Sequence, residues 1–182
     1  KSFPVVEMVF HPARNLVEYL FSPAQIPADK AGEAATIARN IIERLDMIGL
    51  LAVEMFLTSD GQILVNEVAP RPHNSGHHTI EANLTSQYEQ HLRSILNLPL
   101  GDTDSLMPSA MVNLLGEPGF SGPAKYDGFA EVLGVPGVFV HLYGKRLTKP
   151  FRKMGHVTVL AKDMATLKKK ANFVKETLKV VS

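Results

Sequence analysis

Ala52-Val53-Glu54-Met55-Phe56-Leu57-Thr58-Ser59-Asp60-Gly61-Gln62-Ile63-Leu64-Val65-Asn66-Glu67-Val68 reads as two β-rich runs around an Asp-Gly pair. Asp-Gly at that place predicts a hairpin, because a two-residue primed turn needs positive φ at its centre. With Asp60 and Gly61 as the central turn residues, Ser59 faces Gln62 and Glu54 faces Glu67. Directly opposed residues on antiparallel strands share a face, with Cβ atoms roughly 5 Å apart. Two carboxylates that close, in otherwise apolar strands, repel one another unless a positive charge sits between them. A hard divalent cation carrying phosphates meets that need. Glutamates that face solvent or meet a lysine are the alternative, and the residues that follow weigh against it.

Those residues are Asn66 to His78, a polar and turn-rich passage with Arg71, His73, Asn74, Ser75, Gly76 and His77 in quick succession. A loop leaving a strand that bears a metal-binding carboxylate is a natural holder of a small anion. Arg71 offers a planar fork to an oxyanion such as bicarbonate, which a lysine could not match. His73 and Asn74 add donors, Gly76 permits close backbone approach, and Pro70 and Pro72 restrict the chain around Arg71. A surface loop capping the next elements is the plainer reading. A zinc site from His73, His77 and His78 is disfavoured: there is no cysteine, and adjacent His77 and His78 diverge on any regular element. Neither a Gly-x-Gly-x-x-Gly nor a Gly-x-x-x-x-Gly-Lys-Ser/Thr loop is present. A second cluster, Lys145, Arg146, Lys149, Arg152 and Lys153, places five cations in nine positions and is a candidate phosphate-monoester site.

Working outward, Val5 to Phe10 and Leu16 to Phe21 are β-rich runs joined by His11-Pro12-Ala13-Arg14-Asn15, a first hairpin. Asp29 is the expected N-cap of a helix running to about Ile48, with Ile37, Ile41, Leu45 and Ile48 on one stripe and Gly49 as its stop. Ser86-x-x-Glu89 is a capping box for a second helix, with Tyr88, Leu92 and Ile95 inward and Pro99 beyond. Composition shifts between Leu100 and Pro108. Strands are expected over Ser109 to Leu115, Val138 to Tyr143 and His156 to Ala161. A last helix runs from Asp163 to about Val180, with Leu167, Ala171, Val174 and Leu178 on its inner side.

The 182 residues are 45% hydrophobic and 20% charged with a net charge of +1, which gives no global case for nucleic acid or membrane binding. Zero cysteines exclude disulfides and thiolate chemistry and permit a reducing compartment. No apolar run is long enough to span a bilayer, and no signal peptide is visible. The start at Lys1-Ser2-Phe3, without a methionine, suggests a piece of something longer.

Asn-Glu-Val-Ala-Pro-Arg-Pro-His-Asn-Ser-Gly-His (66 to 77), with Ala-Val-Glu-Met-Phe (52 to 56) before it and Arg-Lys-Met-Gly-His (152 to 156) after it, closely resembles the 5-(carboxyamino)imidazole ribonucleotide synthase family. This is the ATPase component of the carboxylation of aminoimidazole ribonucleotide in purine synthesis, an ATP-grasp carboxylate–amine ligase. The resemblance implies an α+β fold: residues 1–100 as the C-terminal lobe of an ATP-grasp fold, an antiparallel sheet with helices, and 101–182 as a small β-rich terminal domain with a helix. It implies ATP and Mg2+ as cofactors, aminoimidazole ribonucleotide and bicarbonate as substrates, and a cytoplasmic full-length homodimer. By resemblance Glu54 and Glu67 hold magnesium, Asn66 and Glu67 meet nucleotide, and Phe56 packs against adenine. Arg71, His73 and Asn74 would hold bicarbonate and the carboxyphosphate made from it, while Lys145, Arg152 and Lys153 would receive the 5′-phosphate. Lacking most of the smaller ATP-grasp lobe, the chain alone is expected to be inactive. Three departures stand out. Ala69 occupies the place where many ATP-grasp enzymes have an asparagine ligand, and Met8-Val9-Phe10-His11 differs from the family's usual Asn-x-His. Lys149-Pro150-Phe151-Arg152 lacks the usual glycine, so a different bend is expected there. A formate-dependent transformylase, a biotin carboxylase-like ligase and a non-catalytic ribonucleotide-binding module are the alternatives.

Overall fold

In the computed structural model, residues 1–10 and 17–182 are described. The expected first turn, His11 to Asn15, and the start of the second strand at Leu16 lie outside them. The strands are β1 (Glu7–Phe10), β2 (Val17–Ser22), β3 (Ala52–Leu57), β4 (Ile63–Ala69), β5 (Ser109–Leu115) and β6 (Gly122–Pro123), then β7 (Lys125–Asp127), β8 (Val138–Leu142), β9 (Leu147–Thr148), β10 (Lys153–Leu160) and β11 (Lys179–Val181). The helices are α1 (Ala28–Arg44), α2 (Thr79–Ala82), α3 (Gln87–Ile95), α4 (Phe129–Leu133) and α5 (Met164–Thr177). The class is α+β, with antiparallel strands and flanking helices. Among the described residues no helix is long and apolar enough to cross a membrane.

The chain divides into two compact units that interleave in sequence: Lys1–Glu7 with Ser22–Leu106, and Met8–Phe21 with Met107–Ser182. The second unit holds a five-stranded sheet in the order β1-β2-β5-β10-β8. Strand β10 is the reason for its core, since Met154 to Val159 are buried without a break, as befits a strand covered on both faces. Helix α5 starts at Asp163, whose carboxylate accepts from Thr166 N–H at 2.8 Å. It lays Leu167, Ala171 and Val174 against β5 and β10, as expected. The helix ends at Thr177, short of the expected Val180. Its β-branched tail, Lys179 to Val181, pairs with Lys125 to Asp127 as a short strand instead.

The first unit is built on the β3–β4 hairpin, α1 and α3. Helix α1 begins one residue before Asp29, with Pro27 at the cap position and no side-chain cap. Asp29 sits in the first turn, where a carboxylate faces the exposed N–H groups. The helix stops four residues short of Ile48, because Asp46 takes the left-handed conformation (φ 46°) and reverses the chain before Gly49. The expected inward stripe therefore fails at its end: Leu45 is 57% and Ile48 75% exposed.

Helix α3 is capped by Ser86, which accepts from Glu89 N–H at 3.2 Å as the capping box predicts. Its buried face is the opposite of the one expected. Leu92 and Ile95 are exposed, while Gln87 and Gln90 are buried. Each glutamine bonds both backbone groups of one residue: Gln90 holds Gly101 N–H and C=O at 2.9 and 3.1 Å, and Gln87 holds those of His73, both at 2.9 Å. Periodicity assigns apolar residues inward by default. Here satisfied amides take the inside because two loops need their backbone groups paired.

Candidate functional site

The hairpin brings Glu54 opposite Glu67, but by a route that differs from the simple turn count. The turn is a three-residue loop, Ser59-Asp60-Gly61, closed by Thr58 N–H on Gln62 O at 2.9 Å, with Gly61 at φ 83°. That is the Gly-bulge hairpin and not the two-residue primed turn. It shifts the register by one, so Leu57 faces Ile63 and Met55 faces Val65. A bulge between Glu54 and Met55, with Asn66 as the extra residue on β4, shifts the register back. Glu54 then faces Glu67, Val53 faces Val68 and Ala52 faces Ala69. Without the bulge the two carboxylates would be staggered.

Beyond β4 the chain folds sharply: Arg71 N–H donates to Ala69 O at 2.9 Å across Pro70. This reversal returns His73 to the carboxylates, its Nε2 3.5 Å from Glu54 Oε1. Glu54, Glu67 and His73 each offer a donor atom within 4.8 Å of the others, and no other such group is found among the described residues. Two carboxylates are hard oxygen donors, the ligand type magnesium takes. His73, assigned from sequence to the anion, stands within reach of the cation site as well. Spacing alone gave no signal for this, because the γ-turn that causes it is invisible to periodicity.

The other expected residues are distributed as follows. Asn66 is the exposed residue at the bulge, and Phe56 is an exposed side chain of β3. Arg71 is exposed and donates to Pro72 O at 3.1 Å. Asn74 opens a 3-10 turn (Asn74–Gly76), and its carbonyl accepts from His77 N–H at 3.2 Å. His73 Nδ1 is 2.8 Å from Ser75 Oγ. His78 is fully buried, and burial pushes its pKa down to about 4. It bonds Ser75 O through Nδ1 at 3.1 Å, while His77 turns to Gln87 and Tyr88. Of the three histidines, His73 alone belongs to the candidate cation group found among the described residues. Burial also raises the Tyr88 phenol.

Lys145, Arg152 and Lys153 lie in the second unit. Lys145 Nζ donates to Lys153 O at 2.6 Å and stands 5.6 Å from the centre of the Tyr143 ring. Arg152 donates to Leu147 O at 3.0 Å. At Phe151 the chain makes a tight turn. Arg152 N–H reaches Lys149 O at 3.1 Å, with Pro150 second and Phe151 third at φ 63°, the pattern of a type II turn. Phenylalanine adopts the conformation that glycine would take more readily.

Comparison with known proteins identifies two domains. An ATP-grasp domain matches residues 1–88, and the phosphoribosylaminoimidazole carboxylase C-terminal domain matches residues 109–170. The N5-carboxyaminoimidazole ribonucleotide synthase of Bacillus subtilis is 43% identical over 159 residues, covering 87% of this chain and 40% of that protein. The N5-carboxyaminoimidazole ribonucleotide synthetase of Thermotoga maritima superposes with a TM-score of 0.88 at 51% identity, over 90% of this chain and 46% of that one. The Aspergillus clavatus enzyme, solved with ADP and 5-aminoimidazole ribonucleotide, gives 0.84 at 34% identity, over 96% of this chain and 46% of that one. The chain thus spans less than half the length of these relatives. The two domain matches, with 43% identity over 87% of this chain and a TM-score of 0.88, place the chain in the N5-carboxyaminoimidazole ribonucleotide synthase family of ATP-grasp proteins.

Proposed function

We propose that the chain supplies the cation- and anion-binding part of an ATP-dependent ligase that carboxylates 5-aminoimidazole ribonucleotide with bicarbonate in purine biosynthesis, releasing ADP and phosphate. The observation that carries this reading is the opposed Glu54/Glu67 pair with His73 beside it, on the strands that precede the Arg71 to His77 turn. Residues 1–100 act as the ATP-grasp lobe and 101–182 as the terminal domain of a cytoplasmic, homodimeric enzyme.

Glu54 and Glu67 would hold Mg2+, whose charge would offset that developing on the transferred phosphoryl group. Asn66, bulged out of β4 beside Glu67, and Phe56 would contact the nucleotide. Arg71 presents its fork to bicarbonate and to carboxyphosphate, with His73 and Asn74 as added donors. Lys145, Arg152 and Lys153 receive the 5′-phosphate of the ribonucleotide, a role that fits three cations around one tight turn.

The test is ADP release by the full-length protein in bicarbonate, with and without 5-aminoimidazole ribonucleotide. ADP release that rises with the ribonucleotide, together with consumption of that substrate, is expected. Release that ignores the ribonucleotide contradicts the assignment and favours another ATP-grasp ligase.

A further inference from the structure

Gln87 opens α3 and is 2% exposed, yet its side chain is a primary amide. Its Oε1 accepts from His73 N–H at 2.9 Å, and its Nε2 donates to His73 O at 2.9 Å. This two-way pairing decides which way round the amide sits. Flipped, it would set a donor against the N–H and an acceptor against the C=O. Nε2 is then the atom 2.8 Å from His77 Nδ1, and it arrives there with its second proton. The Tyr88 hydroxyl stands 2.9 Å from the same ring nitrogen and also bonds the Gln87 side chain. A nitrogen that meets an amide N–H must accept.

We infer that Gln87 is the positioning residue of the His73–His77 turn, and that it holds His77 as the neutral tautomer with its proton on Nε2. The surroundings are built for that amide. A Cβ on Gly76 would lie 2.5 Å from Gln87 Oε1, so the turn wraps closely around it. Thr79 Oγ1 accepts from Gln87 N–H at 2.8 Å and donates to Gly76 O at 2.6 Å. His78 Nδ1 bonds Ser75 O at 3.1 Å. The carbonyls of His73, Ser75 and Gly76 are therefore all engaged from within. The turn that carries His73 and Asn74 is set before any ligand arrives, and His77 brings it a proton donor without a positive charge. The consequence for catalysis rests on the function proposed above; the tautomer rests on the geometry alone.

Ring 15N spectra of histidine-labelled full-length protein test it, with the His77 signals assigned by their loss in His77→Gln. The expected wild-type spectrum has an unprotonated, hydrogen-bonded Nδ1 and a protonated Nε2. Gln87→Glu preserves shape but replaces the donor by an acceptor, so the proton moves to Nδ1. Gln87→Met preserves volume and removes both bonds, so His73 N–H should exchange with solvent about tenfold faster or more. A wild-type His77 carrying its proton on Nδ1 overturns the inference, as does unchanged His73 exchange in folded Gln87→Met. Should Gln87→Met fail to fold, the wild-type and Gln87→Glu spectra decide. In turnover, Gln87→Glu should raise the KM for bicarbonate and leave that for ATP unchanged. Wild-type protein without bicarbonate-dependent turnover would count against the proposed function, while the spectra still decide the role of Gln87.

Discussion

The two compact units are held together by different chemistry. The unit around β5 and β10 buries Val112, Leu114, Val157, Val159, Leu167 and Val174 in one continuous apolar cluster. In the unit that carries the candidate site, the buried apolar side chains among the described residues are only alanines, Ala34, Ala69 and Ala82. Its other buried side chains among the described residues are Ser22, His78, Thr79, Asn83, Thr85, Gln87, Gln90 and Thr103. Apolar packing is non-directional and tolerates repacking of similar volume. A network of paired amides and hydroxyls fixes donors and acceptors by distance and angle. The site sits in the unit where directional contacts set positions.

That contrast can be broken most forcefully at Leu167. Leu167→Ala opens a cavity in the apolar cluster and should cost about 4 kcal/mol, read by denaturant unfolding. Hydrogen exchange should speed up in β10 and stay unchanged in α3; equal losses in both would erase the distinction. Acid should act on the other unit. His78 is buried neutral with a folded pKa of about 4, below its ordinary 6.5, so the unfolded chain binds the extra proton between those values. Stability is full above about pH 6.5 and falls toward pH 4 by up to about 3 kcal/mol. The loss should appear in α3 exchange first, and His78→Gln should flatten the profile. A smaller effect, about 2 kcal/mol, is expected for Gln87→Met, which leaves the His73 peptide without its partner. It should weaken α3 and spare β10. Ser86→Ala removes the N-cap of α3 and should cost about 1 kcal/mol in the same melting experiment.

How much of this was legible in sequence differs between the units for the same reason. Strands β5, β8 and β10 and the inner face of α5 follow from runs and periodicity of apolar residues, which is the signal a hydrophobic core leaves. The inner face of α3 did not, because its buried positions are glutamines whose partners, His73 and Gly101, lie 14 and 11 residues away. Leu92 and Ile95 attracted the inward assignment by hydrophobicity alone. The Glu54/Glu67 pairing was reached through a turn of the wrong length and holds because the bulge at Asn66 compensates by one residue. The Asn66 to His77 composition pointed to the family that the comparisons show. What it left open was that His73 folds back to Glu54, since that depends on the tight turn at Pro70.

The central claim is that the Glu54/Glu67 pair holds the cation on which ATP is used. The most direct measurement is ribonucleotide-dependent ADP release by full-length Glu67→Gln, alongside its melting temperature. Neutralising one of two opposed carboxylates should leave the fold intact or slightly more stable, while turnover falls by about 100-fold or more. Turnover at the wild-type rate with an unchanged fold would contradict the claim.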